Sequence, residues 1–204
     1  MYDIPTLRKV HSAPIPRLGG IAFIPSMMIS AVAVLLIIAT NNIQDKISLS
    51  MWSVGFILSL SIIYSVGIID DLIGLNAKVK FVAQILAASI MPICGLQIND
   101  LYGLFGIYEI PSVVGIPLTI LVFVFIDNAL NLIDGIDGLA TSLSIIALLG
   151  FFYCFIPYNL IAYEVMIAGL VGVLTVYLYY NMWGEVEKGT KIFMGDSGSL
   201  TLGF

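Results

Sequence analysis

The chain has 204 residues, of which 60% are hydrophobic and 10% are charged, and its mean hydropathy is +1.07. Soluble domains carry about 25% charged residues, so this composition excludes a soluble globular protein and indicates an integral membrane protein. The formal net charge is -5. The acidic residues lie in short segments between apolar runs, and no basic patch suited to nucleic acid is present, so nucleic acid is excluded as a partner.

Six apolar runs follow one another along the chain. Runs of about twenty residues can cross a hydrocarbon core of about 30 Å as helices. The six runs predict an all-α, polytopic transmembrane bundle of about six full spans, with the start of a seventh at Ser199. We expect residues 1–204 to form one catalytic domain. The predicted spans are residues 19–39, 49–69, 79–95, 111–126 (or, as an alternative, to 133), 139–156 and 162–182.

The basic residues are distributed unevenly between the connecting segments. If the residues before Gly19 are cytoplasmic, seven of the eight basic residues lie in cytoplasmic segments and only Lys46 lies outside, as the positive-inside bias requires. This topology also places three acid-rich segments on the cytoplasmic face, which predicts the active site there. The seven are Arg8, Lys9, Arg17, Lys78, Lys80, Lys188 and Lys191.

Two adjacent carboxylates, Asp70 and Asp71, end the second predicted span. The partial negative charge of a helix C-terminus disfavours carboxylates, so a bound metal, a shared proton or ion pairs with the lysines that follow must offset them. Lys80 and Gln84 are four residues apart and share one face of the third helix. We expect Lys80 to bind phosphate, with snorkelling to the membrane interface as the alternative.

The outer segments contain a loop and two cysteines. Loop 97–110 carries three aromatic residues, which is typical of an interfacial anchor. Cys94 and Cys154 lie in apolar segments near the same membrane face, and we expect small buried thiols, with a disulfide as the alternative.

Segment 127–138 is the richest in oxygen ligands. Polar residues recur every third position and would form one ridge on a helix. The segment contains no Lys or Arg, so its three carboxylates need a cation or a basic partner from elsewhere. Oxygen-only side chains suit a hard cation such as Mg2+, and a solvated acidic loop between membrane helices is the alternative. The ridge residues are Asn128, Asn131, Asp134 and Asp137.

The last polar segment places Asp196 among glycines and serines at the start of an apolar run. Small residues permit backbone N–H groups to approach an anion, and a helix beginning here would point its positive end at that anion. Asp196 would hold the matching cation. A glycine-rich membrane turn is the alternative.

Four motifs occur in order along nearly the whole chain, and together they resemble the polyprenyl-phosphate N-acetylhexosamine-1-phosphate transferases of glycosyltransferase family 4. The first motif resembles the N-acetylglucosamine-1-phosphate transferase branch more than the muramoyl-pentapeptide branch. The first motif comprises residues 8–11 and 16–20, and the second comprises Asp70, Asp71, Lys80, Phe81 and Gln84. The third comprises residues 128–139, and the fourth comprises residues 195–200.

The resemblance implies that undecaprenyl phosphate attacks a UDP-N-acetylhexosamine, with release of UMP and formation of a lipid pyrophosphoryl sugar. Asn131 and Asp196 would ligate Mg2+, or Mn2+ as an alternative, and Asp70 would deprotonate or orient the lipid phosphate. Lys80 would contact phosphate, and Phe193 would stack on uracil. The other catalytic candidates are Asp71, Asp134 and Asp137.

Members of this family usually have a helix before the first motif and, after the last, further helices with a histidine-rich loop. We therefore expect an internal fragment of a longer enzyme of the bacterial cytoplasmic membrane, inactive or weakly active alone. The donor sugar, the polysaccharide pathway and the oligomeric state, a homodimer included, stay open. The alternatives are a Mg-dependent membrane prenyltransferase, whose usual aspartate pattern is missing, and a divalent-cation transporter, whose acids are expected near the bilayer midplane.

Overall fold

The computed structural model describes residues 2–3, 14–17, 19–40, 51–158 and 160–204. Arg8, Lys9 and His11 of the first motif, Leu18, and Lys46 of the first outer segment lie outside the described residues. Within them, strands Tyr2–Asp3 and Ile15–Pro16 pair antiparallel.

Helices make up most of the described chain. Each predicted span corresponds to one helix, and the helix at the predicted start of a seventh span is short. The helices are α1 (Phe23–Thr40), α2 (Met51–Ile73), α3 (Ala77–Ile93), α4 (Ser112–Ile133), α5 (Leu139–Phe155), α6 (Ile161–Trp183) and α7 (Gly195–Gly203).

Helix lengths and composition confirm a helical membrane bundle. In the described residues, four helical segments are long and apolar enough to cross a membrane, namely Met51–Ile73, Ser112–Ile133, Leu139–Tyr158 and Ile161–Trp183. Many of their large apolar side chains face outward, as expected of helices surrounded by lipid.

Local sequence signals explain where several helices begin and end. The Asn76 side chain accepts a hydrogen bond from the Lys78 N–H (3.0 Å) and caps α3. Pro111, with φ near -65°, precedes α4. Between α4 and α5, Gly138 has φ +73°, a conformation that side-chain-bearing residues rarely adopt, so the helical path breaks there.

The bundle is organised around the short helix α7. Helices α2, α3 and α4 pack in sequence, α6 packs against α1 and α5, and α7 inserts between α2 and α4 beside the turn Gly20–Ala22. Side chains of α7 are mostly buried. Close approach depends on small residues, since a Cβ on Gly20 would lie 2.1 Å from the Gly198 nitrogen. A nine-residue helix is therefore held by neighbouring backbones on several sides.

Two expectations from the sequence are wrong. The ridge does not continue on one helix, because α4 ends at Ile133: Asn128 and Asn131 lie on α4, whereas Asp134 and Asp137 lie in the turn after it. Both cysteines are free, and Cys154 is exposed rather than buried, because it lies on an outward face of α5.

Candidate active site

Four helix ends meet at one end of the bundle: the C-terminal ends of α2 and α4 and the N-terminal ends of α3 and α7. Their meeting point is the Lys80 ammonium, whose Nζ lies 3.0 Å from Asp70 Oδ2 and 3.0 Å from Asp196 Oδ2. The two carboxylates are 126 positions apart in the chain (196 − 70). The tertiary structure thus places one cation between two acids, for which the sequence had predicted only a common membrane face.

Asp70 is 7% exposed and occupies the last turn of α2. Its Oδ1 accepts a hydrogen bond from the Leu75 N–H (2.5 Å), and its Oδ2 accepts one from Lys80. These donors offset the unfavourable helix C-terminus. The ion pair with Lys80 is one of the compensating partners expected from the sequence.

Asp71 points the other way and caps α7. Its Oδ1 accepts from the Asp196 N–H and its Oδ2 from the Ser197 N–H, both at 2.9 Å. Gly195 is required beside it, since its φ is +72° and a Cβ there would lie 2.6 Å from Asp71 Oδ2. The positive end of α7, expected from the sequence to face a bound anion, is thus occupied by a carboxylate of the protein.

Asn131 connects α4 to α7. Its Nδ2 donates to Asp196 Oδ1 (2.6 Å) and to the Ser199 hydroxyl (2.8 Å). The two predicted metal ligands are therefore direct neighbours, and Ser199 joins them. The described residues contain no group of three or more His, Cys, Asp or Glu side chains arranged to hold a metal ion, so these neighbours offer a mixed carboxylate, amide and hydroxyl set instead.

A second polar layer lies one helical turn deeper. Gln84, four residues after Lys80, is buried and accepts from Asn128 Nδ2 at 2.9 Å. Asp127, four residues before Asn131, is fully buried, and neither of its oxygens has a hydrogen-bond partner among the described residues. The backbone of α7 approaches it so closely that a Cβ on Gly203 would lie 2.4 Å from Asp127 Cα.

Asp134 and Asp137 lie at the edge of this cluster. Burial, followed by the nearby charges of Asp196, Asp71 and Asp137, raises the pKa of Asp134 to about 7, while Arg17 opposes the shift. Asp137 is more exposed and pairs with Lys191 Nζ at 2.5 Å. Asp134 is thus a carboxyl that titrates near neutral pH, and Asp137 fastens the turn after α4 to the segment before α7.

The segment before α7 is held by backbone contacts. The Phe193 N–H donates to the Pro16 carbonyl (2.9 Å), and the Gly19 N–H donates to the Phe193 carbonyl (3.0 Å). Phe193 is half-buried at this position. The first motif therefore contacts the last one, although most of its basic residues lie outside the described residues.

Asn181 is a site-supporting residue that the sequence interpretation missed. Its Oδ1 accepts from the Gly138 N–H (2.6 Å), and its Nδ2 donates to the Ile192 carbonyl (3.0 Å). It joins the turn after α4 to the segment before α7 and is 4% exposed. The signal for it was a polar amide inside an apolar span, which is a functional indication in membrane helices.

The chain is similar in sequence to known proteins of one family. The sequence profile of Glycosyl transferase family 4 matches residues 53–204. The chain is 34% identical to a probable undecaprenyl-phosphate N-acetylglucosaminyl 1-phosphate transferase of Bacillus subtilis, with 99% of this chain and 52% of the relative aligned. It is 36% identical to a phospho-N-acetylmuramoyl-pentapeptide-transferase of Staphylococcus carnosus, over 92% of this chain and 59% of the relative.

A decaprenyl-phosphate N-acetylglucosaminephosphotransferase of Mycolicibacterium smegmatis is 34% identical, over 98% of this chain and 50% of the relative. The chain thus spans about half the length of the curated relatives it matches. The N-acetylglucosamine-1-phosphate transferase branch and the muramoyl-pentapeptide branch, which the motifs brought into consideration, both occur among these relatives, at 34% and 36% identity. The profile match covers three of the four motifs, including Asp70, Asp71, Lys80, Asn131, Asp134, Asp137 and Asp196, and the chain therefore belongs to glycosyl transferase family 4.

Proposed function

We propose that the protein transfers N-acetylhexosamine-1-phosphate, with N-acetylglucosamine as the sugar, from a UDP-sugar to undecaprenyl phosphate and releases UMP. The reaction takes place at the cytoplasmic face of a bacterial membrane, as the first membrane step of an envelope polysaccharide pathway. The observation that carries the proposal is the position of Lys80 between Asp70 and Asp196 at one end of a membrane bundle. Relatives named for polyprenyl-phosphate sugar-phosphate transfer support it.

The acidic and basic groups suit phosphoryl transfer, which depends on positioning and charge stabilisation more than on a protein nucleophile. Asp70 is fixed by Lys80 and the Leu75 N–H, so it is placed to orient the acceptor phosphate or take its proton. The Lys80 side chain is 23% exposed, so it is not sealed off from a substrate at this end of the bundle. Asp71 holds α7, and with it Asp196, in position.

The neighbours Asp196, Asn131 and Ser199 fit Mg2+. Asn131 donates to Asp196 Oδ1 through its amide nitrogen. The amide nitrogen and oxygen have nearly the same shape, so a 180° rotation of the amide would place the oxygen next to Asp196 instead. Mg2+ prefers such hard oxygen ligands and takes one or two carboxylates plus substrate phosphates. Asp196 and Asn131 would hold the ion. When bound, it would neutralise charge on the pyrophosphate.

The remaining predicted residues have supporting roles in this proposal. Phe193 is held by Gly19 and Pro16 at the margin of the cluster, where its ring would stack on the uracil. Asp137 and Lys191 fix the turn that carries Asp134. Asp134, with its pKa near neutral pH, would exchange a proton with a bound substrate.

Release of UMP from UDP-N-acetylglucosamine, with undecaprenyl phosphate and Mg2+ in one lipid system, tests the function. In the full-length protein, Asp196→Asn and Asn131→Ala are expected to lower turnover by orders of magnitude and to weaken binding of Mn2+ measured by electron paramagnetic resonance. Cys154→Ser, at an exposed position of α5, is the matched control and is expected to behave as the parent protein.

Other outcomes would contradict the proposal in distinguishable ways. Pyrophosphate release from a prenyl pyrophosphate would support a prenyltransferase. Mg2+ uptake by sealed vesicles without UMP release would support a transporter. Near-parental turnover and Mn2+ affinity in both site variants would remove Asp196 and Asn131 from the metal site.

A further inference from the structure

The opposite end of α4 carries a structured hairpin, defined here as residues 96–110. Its two arms are joined by backbone hydrogen bonds from Ile110 to Asn99 (2.8 Å) and from Leu101 to Tyr108 (2.9 Å), and Asp100 and Glu109 form a bridge between them. The connection between α3 and α4 is therefore a small folded element rather than an irregular loop.

The base of the hairpin is fastened to α4. The Ile98 N–H donates to the buried Thr119 hydroxyl (2.9 Å), and Gln97 Nε2 donates to the Ser112 hydroxyl (3.1 Å). The Ile98 carbonyl lies so close to α4 that a Cβ on Gly115 would be 2.3 Å from it. These contacts fix the direction in which the hairpin leaves the helix.

The tip of the hairpin presents large apolar side chains outward. Tyr102 is 89% exposed and Phe105 is 90% exposed, and Leu104, Ile107 and Tyr108 are exposed too. Tyr102 and Phe105 have φ of +52° and +54°, and each is followed by a glycine with positive φ. Hydrogen bonds from the Leu104 N–H to the Leu101 carbonyl (2.9 Å) and from the Ile107 N–H to the Leu104 carbonyl (3.1 Å) close two tight turns of the type that requires positive φ at both central positions. The two turns hold Tyr102 and Phe105 at the outer end of the hairpin.

We propose that this tip inserts into the headgroup region of the bilayer and holds the end of α4 opposite the active site at the membrane surface. The base is two residues from the first residue of α4, a helix long enough to cross the membrane. An extended arm of four residues reaches at most about 14 Å, whereas a headgroup layer is about 5–8 Å thick, so the depth of the tip depends on the direction in which the hairpin leaves α4. Tyrosine is enriched in the headgroup layer.

The charges of the hairpin favour uncharged lipid surfaces as the partner. Residues 96–110 include no Lys or Arg. Their two acids, Asp100 and Glu109, form a bridge between the arms, and Asp100 Oδ1 accepts a hydrogen bond from the Tyr102 N–H (2.5 Å) at the edge of the tip. Attraction to anionic lipid requires basic residues. Apolar contact therefore drives insertion into uncharged lipid, where insertion should be insensitive to salt, whereas anionic lipid should oppose insertion by repelling the two carboxylates.

The test places a fluorescent reporter at the tip. Trp52 and Trp183 are replaced by Phe, which keeps a ring in the Trp52–Tyr163 stack, and Phe105→Trp or Tyr102→Trp is added. The protein is reconstituted at one copy per phosphatidylcholine nanodisc, with bromine either near the headgroup end or near the end of the acyl chain. Ile146→Trp, on an outward face of α5, serves as the deep control.

We expect the emission of the tip tryptophan to be blue-shifted and unchanged by salt. Bromine near the headgroup should quench it at least twofold more than bromine near the end of the acyl chain, and the deep control should be quenched more by the deep bromine. Red emission quenched by aqueous iodide and not by brominated lipid would overturn the proposal. A blue shift that develops only when several copies share one membrane would identify a second copy of the chain as the partner and overturn it too. None of these outcomes depends on catalytic activity.

Discussion

Gly67 on α2 tests whether the position of α7 controls the candidate active site. A Cβ added at Gly67 would lie 2.5 Å from Ser197 Cα, 2.8 Å from the Ser197 nitrogen and 2.8 Å from the Asp196 carbonyl oxygen, whereas ordinary contacts begin at 3.4 Å. The atoms that it meets are backbone atoms and cannot rotate away. Gly67→Ala should therefore displace the start of α7 by about 1 Å, the difference between those distances.

The size of the effect follows from what that segment carries. Asp196 lies 2.6 Å from Asn131 and 3.0 Å from Lys80, so a shift of about 1 Å changes both contacts. A misplacement of about 1 Å can lower the rate about a hundredfold, which corresponds to about 2.7 kcal/mol in the barrier. Overpacking adds a loss of stability of about 1–3 kcal/mol.

UMP release and Mn2+ affinity are the assays, with thermal unfolding in detergent as the measure of stability. Gly172→Ala on α6 is the matched control, because no neighbouring atom lies within 4 Å of its added Cβ; it should retain activity and gain up to about 1 kcal/mol of helix propensity. Parental rate and Mn2+ affinity in folded Gly67→Ala would refute the conclusion that close packing of α7 positions Asp196.

Three further predictions concern charge. Lys80→Met removes the cation between Asp70 and Asp196, so the melting temperature of the variant in EDTA should be lower than that of the parent protein. Addition of Mg2+ should raise the melting temperature of the variant more than that of the parent, and equal increases would contradict this. The pKa of Asp134 is raised from 3.8 to about 7 in the folded state. Between about pH 4 and about pH 7 the unfolded chain therefore loses this proton more readily than the folded protein. The free-energy penalty on the folded state grows as pH rises through this range and is constant above it. Asp134→Asn should therefore stabilise the protein in EDTA at pH 8 and not at pH 4, and a pH-independent difference would exclude the raised pKa. Lys191→Met breaks the pair with Asp137 and should raise KM for the UDP-sugar more than it lowers kcat, whereas a fall in kcat alone would argue against positioning of the donor.

The membrane class and the approximate location of the helices could be predicted from the sequence alone. Hydrophobic length and helix-terminating residues act locally, so each predicted span corresponds to a helix within a few residues of its expected bounds. The motifs also predicted Asp70, Lys80, Asn131 and Asp196 as candidate site residues, with the roles of Asn131 and Asp196 as metal ligands implied by the family resemblance. The structure brings these four together through direct contacts.

The partner of each polar group became evident only from the packing of the helices. Asp70 and Asp71 were neighbouring catalytic candidates, yet Asp70 pairs with Lys80 and Asp71 caps α7, because adjacent positions on a helix point about 100° apart and meet different neighbours. The same applies to Asn181, which joins two segments that are distant in the chain. Partner choice depends on how closely helix backbones approach one another, and that distance is set by glycines packing across helices, a property that no local pattern contains.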